Sequence, residues 1–200
     1  MLPHKKRTPM SQNFLHKSRF HAHLIKIDRE LANICAEKGC ILCGGKLHQS
    51  DYPRSPMGIS QAFRDQYAKR TSFCCKDCRK RTTPPSARFF GRRWYPAPLH
   101  IFISIMICGI SKRRIALIEK HFGIVVREST WRRWRKWWRD EFVATKFWSQ
   151  AKGKLPPGND ITQGSFPRAI FNFYTGNVEE KMLLFLLFLS PLTSGILRAI

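Results

Sequence analysis

The chain has 200 residues, 36 of them Lys or Arg and 13 Asp or Glu, for a formal charge of +23 at neutral pH. Its 43% hydrophobic content is enough to bury the core of one or two small domains, which excludes a disordered tail. The cationic excess argues against an enzyme for small acidic metabolites and makes a polyanion the natural partner, while the pattern of the seven cysteines argues against a secreted disulfide scaffold.

The start, Met1–Arg7, is basic and leads into no apolar signal core, so a cytosolic chain is expected. Phe20, Leu24, Ile27, Leu31 and Ile34 recur at steps of four and three, which predicts an amphipathic helix closed by Gly39. From Cys40 to about Pro85 the chain is broken by Gly, Pro and Cys, and short strands and knuckles are expected, with a helical turn or two in Ala62–Lys69. Pro84-Pro85 and Pro96-x-Pro98 bracket a linker or strand at Phe89–Tyr95. Three helices should follow. Leu99–Cys108 is apolar and therefore buried; the second starts at the N-cap Ser111 and ends at Gly123; the third starts after Ser129 and runs to about Thr145. Residues 151–167 read as a loop. The last stretch, Met182–Leu192, is a core or partner-facing helix, because its unbroken apolar run is far shorter than the roughly 20 residues needed to span a bilayer.

Cys40-Ile41-Leu42-Cys43-Gly44 and Cys75-Lys76-Asp77-Cys78 form two C-x-x-C knuckles with 31 residues between Cys43 and Cys75. Two residues between thiolates let one tight turn aim both sulfurs at one ion, and two such turns complete a tetrahedron suited to Zn²⁺. Four protein thiolates leave no open position, so the ion would be structural. Cys74 and His48 are the competing ligands, and Cys75 is preferred to Cys74 for its spacing. Cys35 and Cys108 sit in apolar helical contexts, where a buried free thiol is expected. A catalytic zinc built on Cys35-Ala36-Glu37 and Cys75-x-x-Cys78 would lack the proline before the second pair and leave Cys40 and Cys43 idle. His21-Ala22-His23 imitates a metal-binding pair, but on a helix the two imidazoles diverge by about 200°.

The run Trp131–Phe142 is the most informative in the chain. Trp131, Trp134, Trp138 and Phe142 share one helical stripe, whereas Arg132, Arg133, Lys136 and Arg139 project from the other side. The aromatic stripe should dock on other helices and leave a basic blade for an anionic partner. Helix, glycine-containing turn, then basic helix is the helix-turn-helix order, with the last helix in the major groove of DNA. Lys112 and Arg113 at the start of the second helix join the candidate DNA contacts. A second basic segment, Lys76, Arg79, Lys80, Arg81, Arg88, Arg92 and Arg93, lies by the cysteines; Arg92 and Arg93 are the DNA candidates within it.

The stretch Cys75–Pro84, with Phe73 two residues ahead of the knuckle, resembles the second knuckle of the zinc ribbons in bacterial insertion-sequence transposases and their small accessory proteins. The Trp-rich basic helix after Gly123 is similar to their helix-turn-helix, and the resemblance runs from about Cys40 to Phe142. It implies a mainly α fold with a small zinc-ribbon module of short strands and a helix-turn-helix bundle. The expected segments are an N-terminal helix (1–39), the zinc ribbon (40–85), the helix-turn-helix domain (86–150), and a loop with a C-terminal apolar helix (151–200). Two-metal transposition chemistry would need three convergent carboxylates, and the six aspartates are scattered, so no catalytic residue is assigned. The expectation is a cytoplasmic, nucleoid-associated DNA-binding protein of a mobile element, carrying structural Zn²⁺ and recognising the element's ends or its promoter. Double-stranded DNA is the partner, with a transposase or a second copy of the chain beside it and no membrane. Two other classes stay open: a transposase or nuclease subunit completed elsewhere, and a protein–protein adaptor.

Overall fold

The first long element is a 21-residue helix, α1 (Ser18–Lys38), in a computed structural model that describes residues 13–90, 96–107, 116, 119–120, 125, 127–154 and 166–194. Gly39 ends α1 as expected, at φ +71°, and a side chain there would lie 2.8 Å from the Gly44 carbonyl oxygen. The buried face of α1 differs from the expected stripe. Phe20 and Leu24 are buried as expected, but the face continues through Asp28 and Ala32, while Leu31 is half-buried and Ile34 is 48% exposed. The reason is polar: a hydrogen-bonded carboxylate, not an aliphatic row, docks the middle of the helix.

That carboxylate, Asp28, is buried and accepts three hydrogen bonds. The Ala87 N–H donates to Oδ1 at 2.6 Å, and the Ser86 hydroxyl and Arg88 Nε donate to Oδ2 at 2.6 and 2.8 Å. The Ser86 Oγ in turn accepts from the N–H groups of Arg88 and Phe89. Arg88 also donates to the Gln66 carbonyl. Thr193 accepts from the Ser86 N–H at 2.7 Å, and Arg70 Nη2 donates to the carbonyls of Pro84 and Thr193 at 2.9 and 3.1 Å. Burial lowers the Arg70 pKa and the Asp28 charge opposes that shift. The guanidinium groups of Arg54, Arg70 and Arg88 all stand within 5.2–5.6 Å of the Phe89 ring centre.

In the chain, two small antiparallel sheets come between α1 and Ser86. Strands β1 (Leu47–Gln49), β4 (Phe73–Cys75) and β5 (Arg81–Thr82) form one in the order β1-β4-β5, with Leu47 opposite Cys75 and Phe73 opposite Thr82. Strands β2 (Tyr52–Pro53) and β3 (Lys69–Arg70) form the other. The helical turns expected in Ala62–Lys69 are two 3-10 turns, Gln61–Phe63 and Asp65–Tyr67. Ala32 of α1 packs with Leu47, Phe73, Cys40 and Cys75, so the C-terminal part of α1 belongs to the cysteine module.

The N-terminal part of α1 belongs to a larger core. Helix α2 (Ala97–Ile107) is buried at Leu99, Ile101, Phe102, Ile103 and Ile105, as a helix apolar on every side must be. It packs against α3 (Glu128–Lys136), α5 (Phe166–Phe173) and α6 (Val178–Leu189), with α4 (Lys146–Ala151) between α3 and α5 in the chain. One hydrophobic cluster contains Phe20 and Leu24, the α2 residues, Trp134, Trp138, Phe142, Trp148, Ile170, Phe171, Met182, Phe185 and Leu189. Helix α5 was not expected from the sequence. Helix α6 starts earlier than the apolar run, at a capping box in which Asn177 and Glu180 exchange side-chain-to-backbone hydrogen bonds. It ends at Leu189, where Ser190–Thr193 turn into a 3-10 helix. The second helix expected at Ser111–Gly123 falls mostly outside the described residues; within it Ala116, Glu119 and Lys120 are helical.

Replacing Asp28 by Asn should strand a buried arginine and cost about 3–5 kcal/mol of stability. Adding Arg88→Met to that variant should recover part of the loss, because both charges are then gone. Urea unfolding of the three proteins checks this; equal midpoints for parent and Asp28→Asn would contradict it.

Candidate metal centre and basic face

Local chain geometry builds the cysteine cluster twice from one plan. In the first knuckle the Cys40 N–H donates to the Gly45 carbonyl at 2.9 Å; in the second the Cys75 N–H donates to the Lys80 carbonyl at 3.0 Å. The residue after each second cysteine is left-handed, Gly44 at φ +72° and Arg79 at φ +58°. Glycine adopts that conformation without a Cβ penalty, whereas arginine carries a strain of roughly 1–2 kcal/mol. The Lys76 N–H donates to the Lys46 carbonyl at 2.9 Å and extends the β1–β4 pairing up to the sulfurs.

The ligand atoms of Cys40, Cys43, Cys75 and Cys78 all lie within 4.8 Å of one another. The Cys40–Cys78 and Cys43–Cys75 sulfurs are each 3.5 Å apart. A tetrahedral ion with metal–sulfur bonds of about 2.3 Å needs sulfur–sulfur edges of about 3.8 Å, so the four residues fit one. Among the described residues this is the one group of three or more His, Cys, Asp or Glu able to share an ion. Gly45 sits where a side chain would meet the Cys75 sulfur at 3.0 Å and the Asp77 carboxylate closer still.

The thiols are electrostatically uneven. A hydrogen bond from the Leu42 N–H, aided by Cys43 and Cys78, lowers the Cys40 pKa to about 7. At Cys78 the Lys80 N–H favours the thiolate, but burial and the three neighbouring sulfurs outweigh it and push the pKa up to about 12. Four mutually close sulfurs cannot all ionise in the absence of a cation; a divalent ion would remove that conflict.

The remaining thiols and histidines fall outside the cluster. Cys74 points its sulfur toward the Arg79 carbonyl at 3.6 Å, and His48, exposed on β1, pairs with Cys74 across the sheet. Cys35 packs beside the cysteine module, where burial raises its pKa; Cys108 lies outside the described residues. His21 is buried, with ring nitrogens 2.8 Å from the Tyr67 hydroxyl and 2.9 Å from the Leu15 carbonyl, whereas His23 is half-buried.

The aromatic–basic run splits into two faces. Trp134, Trp138 and Phe142 are buried, while Arg132, Arg133, Arg135, Lys136 and Arg139 are exposed. A π-turn, Trp137–Glu141, tightens the buried stripe, with the Phe142 N–H reaching the Trp137 carbonyl at 2.8 Å. In an α-helix residues four apart overshoot a full turn by about 40°, and the wider π-turn reverses that drift. Phe142 therefore stays on the side of Trp134, with ring centres of Trp138 and Phe142 5.0 Å apart. On the outer side Arg132 pairs with Glu128 at 2.7 Å and Arg139 with Asp140 at 2.6 Å, and Arg133 donates to the Thr130 hydroxyl. Such exposed pairs are screened by solvent and hold the side chains only weakly.

Arg88 corrects the sequence reading. It is not part of an outward basic segment: it is buried against Asp28, since a carboxylate within reach outcompetes solvent. Lys76, Arg79, Lys80 and Arg81 are exposed, and Arg81 bonds the Ser50 carbonyl and the Ser72 hydroxyl. Lys112, Arg113, Arg92 and Arg93 lie outside the described residues, as does the Trp131 side chain. No helix among the described residues is long and apolar enough to cross a membrane.

Comparison with protein-family models, with curated proteins and with solved structures found no match for this chain.

The two knuckles set a test of their shared plan. Arg79→Gly should hold or raise the melting temperature, because it removes left-handed strain, while Gly44→Val should lower stability by more than about 1 kcal/mol. Thermal melts of both variants check this; a large loss for Arg79→Gly would contradict the equivalence of the two turns.

Proposed function

We propose that this chain is a DNA-binding protein of a mobile genetic element, held in shape by one structural Zn²⁺ at Cys40, Cys43, Cys75 and Cys78. The observation that carries the reading is the division of the Trp–Arg run, whose aromatic edge is buried in the core and whose cationic edge is exposed. Five cations and three carboxylates lie between Glu128 and Glu141, on a chain of net charge +23. Phosphate oxygens suit that edge better than any neutral partner, and arginine forks can also reach base edges in a major groove. Arg132, Arg133 and Lys136 are assigned to bases and Arg139 to phosphate. Lys112, Arg113, Arg92 and Arg93 are assigned to DNA as well. Recognition of the element's ends or promoter in the cytoplasm, on nucleoid DNA, completes the reading, with a transposase or a second copy as assembly partners.

Zinc would supply a cross-link between the two knuckles, not activation of water, because four thiolates close its coordination shell. Gly39 and Gly45 leave the first knuckle no room for a side chain at those positions, and Gly44 supplies its left-handed turn. The donor set fits zinc better than calcium or magnesium, which select oxygen ligands.

Metal analysis of the purified protein should find one zinc per chain. Ser at Cys40, Cys43, Cys75 or Cys78 should remove it, while Ser at Cys35 or Cys74 should leave it bound. Protons compete for thiolates, so the ion should leave as the pH falls. Full retention by Cys78→Ser would refute the assignment. On the DNA side, Arg132→Ala or Arg133→Ala should weaken binding to a selected duplex about 5- to 150-fold without altering the melting temperature. Trp134→Ala should instead lose about 3–5 kcal/mol of stability. Unchanged affinity in both arginine variants would defeat the base-contact assignment.

A further inference from the structure

The two residues between the cysteines differ between knuckles that share one backbone plan. They are Ile41 and Leu42 in the first, Lys76 and Asp77 in the second, and all four are exposed. The second knuckle shows that the fold accepts polar residues there, so nothing in the turn itself calls for aliphatic ones. Yet Ile41 and Leu42 are 63% and 68% exposed. Together they form an apolar tip on a turn pinned by hydrogen bonds on both sides of the sulfur cluster.

Cations outnumber carboxylates around the tip, Lys46 and Lys76 against Asp77, whose carboxylate lies beside Gly45. Leu42 adjoins Cys43 and Lys76 adjoins Cys75, and the sulfurs of those two cysteines are 3.5 Å apart. Lys46 lies next to Lys76 through their backbone hydrogen bond, and both lysines are exposed. A partner for this surface must be anionic and must also admit hydrocarbon. A second copy of the chain brings the same excess of positive charge and is disfavoured. Duplex DNA offers phosphates outside and stacked bases within, and aliphatic side chains pushed between base pairs kink it.

We infer that the first cysteine knuckle is a DNA-bending wedge, with Ile41 and Leu42 entering a base step while Lys46 and Lys76 hold the flanking phosphates. This rests on the DNA-binding reading and adds to it a mode, local unstacking, and a site separate from the Trp–Arg helix. A step that is already unstacked should therefore bind more tightly, since the wedge no longer has to open it.

The test uses the full, zinc-loaded chain and two end-labelled duplexes of about 30 base pairs, identical except for a central two-base mismatch in one. Energy transfer between the labels reports bending. The parent should bind the mismatched duplex about tenfold more tightly and draw the ends of both duplexes together. The double variant Ile41→Ser, Leu42→Ser should lose the preference and the bend, with zinc content and melting temperature unchanged. If that variant folds poorly, Ile41→Lys with Leu42→Asp, the residue types the second knuckle already carries, serves in its place and should also lose both. Bending and mismatch preference that survive in the variant would overturn the wedge, as would binding by the parent without either. Failure of the parent to bind either duplex would defeat the DNA reading itself. Binding to phosphatidylserine vesicles in place of DNA, lost in the same variant, would also overturn the proposal by assigning the tip to a lipid surface.

Discussion

Asp28 fixes how the parts of this protein meet. Its carboxylate lies halfway along α1, between the cysteine module packed on one end and the helical core packed on the other. Through Ser86, Ala87 and Arg88 it seizes the segment that leaves the module, and through Ser86 and Thr193 the network reaches the turn that follows α6. A buried ion pair adds little net stability compared with apolar packing, because desolvation offsets most of the attraction. What it does provide is direction. An apolar stripe can rotate or slide by a residue at modest cost, but a carboxylate with three short hydrogen bonds has one position. The cationic surfaces of module and bundle are thereby held in one frame.

The second organising feature is the aromatic slab beneath the basic edge. His100 of α2 lies against Trp134 with ring centres 4.3 Å apart, and Phe90 meets both His100 and Trp137. Trp138 and Phe142 continue the slab toward Phe185 of α6 and Trp148 of α4. These large rings bury enough surface to hold a helix whose other side carries several like charges. Repulsion along that side is tolerated because packing stabilises the helix, and two carboxylates, Glu128 and Asp140, offset part of it.

Much of this was legible in the sequence, for identifiable reasons. The C-x-x-C spacing states its own geometry, so the four sulfurs that converge were known from their positions in the chain. The buried and exposed sides of the Trp–Arg run followed from helical periodicity, which large aromatics and arginines mark without ambiguity. Other features were hidden because they depend on long-range partners. The face of α1 was misjudged because Asp28 looks like a surface residue until Arg88, sixty positions later, is placed beside it. Arg88 was misjudged for the same reason. The π-turn left no compositional mark, and α5 starts at a Phe-Pro pair that reads as the end of a loop. Arg79 in a left-handed turn could have been found by aligning the second knuckle on Gly44 of the first.

The most direct test of the central claim, that this is a surface for a polyanion, is the salt dependence of binding to a duplex of arbitrary sequence. Each phosphate neutralised contributes about −0.9 to the slope of log K against log salt concentration. On a duplex of arbitrary sequence the base-directed Arg132, Arg133 and Lys136 fall back on phosphate beside Arg139, and the four together predict a slope of about −3.6 or steeper. A slope near zero, or no binding at about 50 mM salt, would contradict the account.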